Sequence, residues 1–193
     1  KANFSVTDLS DIANLEPLKG WVTLADVIIN NAGTAVKKPF DTFSADELHS
    51  HLNVNVTTPV IFSNWILESR GKGEKKTIVN ICSSAGYFPA IGMGTYSGSK
   101  AFLTMFSECL IGEYTKEKIC IISVLPSGIN TNFQRESGVK NINPSGLLDP
   151  DELSKEILTL IKKGESVVML KGFSTRVFKI MRGLFPAKHY INI

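Results

Sequence analysis

The sequence has only three cysteines, Cys82, Cys109 and Cys120, an odd number without CxxC spacing. Neither a disulfide framework nor a cysteine-based zinc site is suggested, and a reducing compartment fits such usage. Histidine is equally scarce. His49, His51 and His189 lack ligand spacing with any cysteine or aspartate cluster, which points to structural or surface roles and to a chemistry without metal. No apolar run approaches the roughly 18 residues needed to cross a bilayer. The first residues lack the basic and apolar regions of a signal peptide, so a cytoplasmic protein is expected. Excess charge is also missing. The net charge of +3 comes from 21 basic and 18 acidic residues, too slight a surplus for nucleic-acid binding across the surface. No internal repeat, low-complexity tract or linker divides the chain, and 193 residues suit one well-buried core.

What is present is an alternation of short β-rich runs with helical stretches, the pattern of a parallel sheet with crossover helices. Ala25–Asn30 (ADVIIN), Thr77–Cys82 (TIVNIC), Ile119–Leu125 (ICIISVL) and Ser166–Leu170 (SVVML) read as strands buried on both faces. Residues 1–9 read as a further strand running into a cap and a helix. Helical patterns cover Ala45 to about Arg70, Tyr96 to about Lys116, and Asp151–Lys163. The last opens on Asp149-Pro150-Asp151-Glu152, which supplies a cap, a first-turn proline and acids at the positive end of the helix dipole.

Tyr96 and Lys100 stand four apart in YSGSK, so a helix puts them on one face about a turn apart. A phenol with an ordinary pKa near 10 is a reluctant acid at neutral pH, and a nearby ammonium favours its phenolate. Lys100 is therefore expected to lower the Tyr96 pKa. A surface helix carrying a Tyr and a Lys has the same spacing, so the pair alone decides nothing. Ser83 follows the strand TIVNIC directly, at the end where open α/β sheets collect ligands. A turn cap is its plain alternative, and Ser84 competes for either role. Asn55 lies inside a helical pattern where an amide has poor propensity and wants a specific partner. An exposed helical asparagine is its plain alternative, and neighbouring Asn53 could be the functional one instead.

These residues together resemble the short-chain dehydrogenase/reductase family. Its motifs are matched in order by Asn30-Asn31-Ala32-Gly33 after a strand, by Asn55 in VNV, by Ser83 after the next strand, and by Tyr96-Ser97-Gly98-Ser99-Lys100. Pro126-Ser127-Gly128-Ile129-Asn130-Thr131 is similar to the family's PGxVxT segment, with Ser127 in place of the usual glycine. Asp8-Leu9 resembles the acidic-apolar pair that lies against adenine. The resemblance implies a doubly wound, Rossmann-like parallel sheet in three α/β/α layers, binding NADP or NAD, with NADPH favoured as donor. It implies a catalytic set of Asn55, Ser83, Tyr96 and Lys100. Tyr96 would exchange a proton with the substrate oxygen, Ser83 would orient that oxygen, Lys100 would hold the ribose, and Asn55 would anchor a water in a proton relay. Asp8, Leu9, Asn31, Ala32, Gly33, Tyr96, Lys100, Pro126, Ile129 and Thr131 would line the cofactor. The substrate would be a small carbonyl or alcohol, and a homodimer through the helices bearing Asn55 and Tyr96 would match the family.

The family's opening strand, glycine-rich turn, helix and second strand have no counterpart here, so the fold is expected to be N-terminally incomplete, with weakened cofactor binding by these residues alone. Residues 1–170 form the expected dinucleotide-binding oxidoreductase domain, and 171–193 an extension of it. In the extension Phe173, Val177, Ile180, Met181 and Leu184 fall at helical spacing, while Arg176, Lys179 and Arg182 lie elsewhere on the wheel. Such a basic amphipathic helix packs on the domain or a partner subunit, or makes peripheral membrane contact through 173–185. The function expected is ketone–alcohol interconversion. The alternative is a catalytically silent protein of this fold that senses the dinucleotide or serves as a scaffold.

Overall fold

The computed structural model describes residues 3–139 and 146–172. Its helices are α1 (Lys19–Leu24), α2 (Ala45–Leu52), α3 (Thr58–Glu68), α4 (Gly94–Glu113), α5 (Phe133–Glu136) and α6 (Pro150–Lys163). Its strands are β1 (Val27–Asn30), β2 (Lys76–Ile81), β3 (Ile119–Pro126) and β4 (Val167–Lys171), in one parallel sheet of order β1-β2-β3-β4. Parallel neighbours cannot be joined by a hairpin, so each connection carries a helix across the sheet.

Every residue of β2 and β3 is buried, because both sheet faces are covered. On one face Ile28, Ile78, Ile119 and Ile121 pack with Val22 of α1, Ile66 and Leu67 of α3 and Leu110 of α4. On the other, Val79, Ile81, Ile122 and Val124 pack with Leu153 and Ile157 of α6. This is the expected three-layer α/β/α arrangement. Burial on both faces does not extend to the edges. In β1, Val27 is 38% and Ile29 50% exposed, since no described element covers that face, and β4 is half-buried along its length.

Local sequence sets the helix ends. Ser44 and Glu47 form a reciprocal capping box on α2, with Ser44 Oγ accepting from the Glu47 N–H at 3.2 Å and Glu47 Oε2 from the Ser44 N–H at 2.8 Å. Asp149 caps α6, and Gly164 ends it in the left-handed region at φ 68°. Between α2 and α3 the chain makes a π turn over Asn53–Thr57, so the single helix expected from residue 45 onward is wound more widely at its middle.

The strand expected over residues 1–9 is not formed in residues 3–9. Phe4 is 88% and Val6 94% exposed, and no described strand lies beside them to complete a ladder. The segment is tied down instead where Asn53 Nδ2 donates to the Ser10 carbonyl at 2.7 Å. The expected amphipathic helix of 173–185 and His189 lie outside the described residues, as do residues 140–145. No described helix is long and apolar enough to cross a membrane.

Candidate active site

The carboxyl ends of β1, β2 and β3 open into one cleft of about 710 Å³. Asn31, Ala32 and Gly33 reach it from the end of β1, Cys82, Ser83 and Ser84 from β2, and Pro126, Ser127, Ile129 and Thr131 from β3, while α4 supplies Tyr96 and Lys100. Such a crevice beyond the carboxyl ends of parallel strands is where open α/β sheets hold ligands. Its far wall is apolar, made of Met93, Tyr96, Phe133 and Val139 with Ala35 packed behind them, and the Tyr96 and Phe133 rings lie 5.8 Å apart.

Tyr96 and Lys100 sit in the first two turns of α4, both buried. The Lys100 ammonium donates to the Ile81 carbonyl at 2.8 Å and stands 5.9 Å from the Tyr96 ring centre. One of its three N–H groups is thus used by the end of β2. Burial pushes the Lys100 pKa below its ordinary value. Burial also pushes the Tyr96 phenol above its ordinary value, while the Ser83 hydroxyl draws it back down. The expected lowering of Tyr96 by Lys100 is therefore not what this structure has. Helical spacing brings the two residues together, but the ammonium turns to the Ile81 carbonyl, and desolvation disfavours the charged form of each group.

Ser83 caps a turn and also lines the cleft. Its Oγ accepts from the Ala85 N–H at 3.2 Å, capping the short turn Ser84–Gly86, and the same side chain lies in the cleft beside Tyr96. Ser84 lines the cleft as well.

Asn55 is wholly buried in the π turn, whereas Asn53 points away to Ser10. Asn55 Oδ1 accepts from the Thr34 N–H at 2.9 Å, and Nδ2 donates to the Thr34 carbonyl at 2.8 Å and to His51 Nε2 at 2.9 Å. A more distant Ser99 Oγ lies at 3.3 Å. Gly33, next to Thr34, comes so near that a Cβ there would stand 3.3 Å from Asn55 Oδ1 and 3.5 Å from Lys100 Nζ. The bare glycine keeps a slot open where Asn55, Lys100 and the β1 loop meet.

The cleft thus collects Asn31, Ala32, Gly33, Ser83, Tyr96, Lys100, Pro126, Ile129 and Thr131, with Asn55 behind Gly33. Asp8 and Leu9 are not among its lining residues. Asp8 is exposed and folds back to accept from the Ser10 N–H at 2.9 Å, because the segment around it has no sheet to hold it over the strand ends. Ser127 follows β3 directly. Its N–H continues the sheet by donating to Lys171 O at 3.0 Å, and an Ile129–Leu148 bridge braces the chain beyond it. His51 is buried against Asn55, a structural place rather than a surface one, while His49 is exposed.

The cleft residues could hold a dinucleotide. Lys100 is a buried cation with N–H groups left for hydroxyl acceptors, and the open slot at Gly33 leaves room beside it.

Known proteins are similar to this chain in sequence and in fold. The family model described as short chain dehydrogenase matches residues 2–141. A benzil reductase ((S)-benzoin forming) of Bacillus subtilis is 34% identical over 155 residues, which are 71% of this chain and 63% of that protein. The structure of a short-chain dehydrogenase from Sphingobium yanoikuyae in complex with NADPH superposes with a TM-score of 0.73 at 26% identity, over 84% of this chain and 65% of that one. A 4-hydroxyisoleucine dehydrogenase complexed with NADH gives a TM-score of 0.69 at 25% identity, over 86% of this chain and 78% of that one. The chain therefore spans less than two thirds of the first two of these relatives. With the match covering most of its length, and the strand ends, Tyr96 and Lys100 gathered at one cleft, the chain belongs to the short chain dehydrogenase family, whose members are nicotinamide-dependent oxidoreductases.

Proposed function

We propose that this chain carries the reaction centre of an NAD(P)-dependent oxidoreductase that interconverts a ketone and a secondary alcohol. The observation that carries the reading is the meeting of Ser83, Tyr96 and Lys100 in one cleft at the carboxyl ends of the sheet. A nicotinamide cofactor supplies the hydride. Lys100, Asn31, Ala32, Gly33, Pro126, Ile129 and Thr131 hold it. NADPH is the favoured donor in the reductive direction. In reduction, the Tyr96 hydroxyl gives its proton to the carbonyl oxygen, and in oxidation the phenolate takes the alcohol proton. The Ser83 hydroxyl donates to the same oxygen and keeps it in front of Tyr96. A phenol held above its ordinary pKa stays protonated at neutral pH, so the proton needed for reduction is in place, although the same shift makes the phenol a weaker acid.

The wall of Met93, Phe133 and Val139 favours a substrate with an apolar or aromatic flank next to the reacting carbon. Benzil, on which the Bacillus subtilis relative acts by its name, is such a compound. The test is NADPH oxidation by the full-length protein with benzil and with small aliphatic ketones. Turnover of the aromatic ketone at a kcat/KM at least tenfold above the aliphatic ones is expected. NADPH binding without turnover of any carbonyl would favour the dinucleotide-sensing alternative.

A further inference from the structure

We propose that His51 is a positioning residue for the reaction: as a neutral imidazole it locks the Asn55 amide, and with it the Thr34 end of the Gly33 loop, against the wall of the cleft. The inference rests on the oxidoreductase reading of the cleft. It goes beyond that reading in assigning a task to a histidine outside the cleft lining.

The hydrogen bonds fix the tautomer. Thr34 sets the orientation of Asn55, because its N–H at 2.9 Å requires the amide oxygen and its carbonyl at 2.8 Å requires the amide nitrogen. A flipped amide would face donor with donor and acceptor with acceptor. Nδ2 can only donate, so the His51 Nε2 at 2.9 Å must present a lone pair. The ring proton then sits on Nδ1, where it donates to Thr34 Oγ1 at 3.1 Å. Thr34 is held twice, by its main chain through Asn55 and by its hydroxyl through His51. Ser99 is no substitute acceptor of equal quality: it is 3.3 Å from Nδ2, and its own hydrogen goes to the Tyr96 carbonyl at 2.7 Å.

An imidazolium would set an N–H against the amide N–H, so protonation must break the lock. The ionisable neighbours agree with a neutral ring. On α4, Lys100 is a cation whose field reaches it, and Tyr96 is a neutral phenol at neutral pH. The π turn carries no ionisable side chain. The loop after Gly33 brings Lys37 and Lys38, of which Lys38 is paired with Glu47 at 2.7 Å. On α2 itself, Asp46, Glu47 and His49 are exposed. Burial, then Lys100, hold the His51 pKa below its ordinary value. The consequence reaches the cleft because Asn55 Oδ1 and Lys100 Nζ border the same slot at Gly33, so an amide that swings away releases one side of it.

The test uses full-length protein, benzil with NADPH, and two variants. His51→Leu can neither accept nor donate, and kcat is expected to fall roughly tenfold or more. His51→Gln can accept from Asn55 and donate to Thr34 without titrating. It should recover most of what leucine loses, and the acid limb of the wild-type kcat/KM profile should disappear. An acid limb unchanged in both variants, or full turnover in His51→Leu, overturns the proposal. Should the variants fail to fold, nitrogen NMR of the wild-type imidazole decides without any need for turnover. A proton on Nδ1 at neutral pH is expected, and a proton on Nε2 overturns the assignment. Absence of carbonyl turnover in the wild type would sink the oxidoreductase reading, whereas the tautomer judges His51 alone.

Discussion

Gly86 and Lys100 meet main chain to main chain: a Cβ on Gly86 would stand 2.9 Å from the Lys100 carbonyl oxygen and 3.1 Å from the Ala101 nitrogen. Backbone cannot swing aside as a side chain can, so this absent methyl seats the Ser83 turn directly on α4 and sets the gap between Ser83 and Tyr96. Gly86→Ala is expected to push the two apart. A displacement approaching 1 Å at a reacting group can cost about 100-fold in rate, and the crowding about 1–3 kcal/mol of stability. Turnover and urea denaturation on the same samples would check both. An alanine variant with wild-type kcat would show that the gap is not set here.

Tyr96→Phe removes only the hydroxyl and keeps the ring against Phe133. Carbonyl reduction is expected to drop about 100- to 10,000-fold, the usual worth of a positioned proton donor, with the melting temperature nearly unchanged. Near wild-type turnover would remove Tyr96 from the mechanism.

The direction of the Tyr96 shift predicts different pH profiles for the two reactions. With the phenol held above its ordinary pKa by burial, the proton needed for reduction is present throughout the neutral range and is lost only well into the alkaline range. Oxidation needs the phenolate, so its kcat/KM should still be rising at pH 9. Initial rates in both directions from pH 6 to pH 10 test this, and an oxidation profile already flat at pH 7 would contradict it.

His51 also predicts a stability effect. Its folded pKa lies below its unfolded one, so the unfolded chain takes up the proton first as pH falls. Stability is complete above the unfolded value, near pH 6.5, and is lost as pH drops toward the folded value. The difference in melting temperature between pH 7 and pH 5 should be smaller in His51→Gln than in the wild type. Equal differences would show that the ring does not couple to folding.

A chain of amides and hydroxyls crosses the sheet, from Asn30 Nδ2 to Asn80 Oδ1 at 2.8 Å, from Asn80 Nδ2 to Ser107 Oγ at 2.9 Å, and on to the Leu103 carbonyl at 2.7 Å. It ties β1, β2 and α4 together inside the protein. Asn80→Leu removes the middle member and leaves the buried Asn30 amide without this partner. A loss of about 1–3 kcal/mol is expected from chemical denaturation, and a neutral outcome would mean that water or repacking replaces the link.

Much of this was legible in the residues themselves. β2 and β3 announce themselves as continuous β-branched runs because both their faces are covered, and α6 is delimited by Asp149, Pro150 and Gly164. Tyr96 and Lys100 follow from spacing on one helix face. Poor helix formers inside a helix flag Asn53 and Asn55 alike, and only the fold separates them, burying Asn55 against Thr34 and turning Asn53 to Ser10. Long-range placement is what local pattern cannot supply. The partner of His51 on the next turn is visible, but Thr34, which fixes the ring's tautomer, comes from a different part of the fold. Spacing likewise puts Lys100 near Tyr96 without saying that Nζ turns to Ile81. The strand expected at 1–9 fails for a related reason: propensity can propose a strand, but only a neighbour makes one.

The all-parallel sheet has a kinetic consequence. Ile29 lies beside Val79, Thr77 beside Cys120 and Ile122 beside Val167, so every ladder joins stretches far apart in the chain. Long loops must close before any strand finds its neighbour, which makes such sheets slow to form and exposes their apolar strands meanwhile. During synthesis the Ser83 turn and α4 emerge before β3, the strand that encloses β2. The cleft can therefore take shape only late, after most of the chain has left the ribosome, and a nascent chain halted before Ile119 would display β2 as an open, adhesive edge.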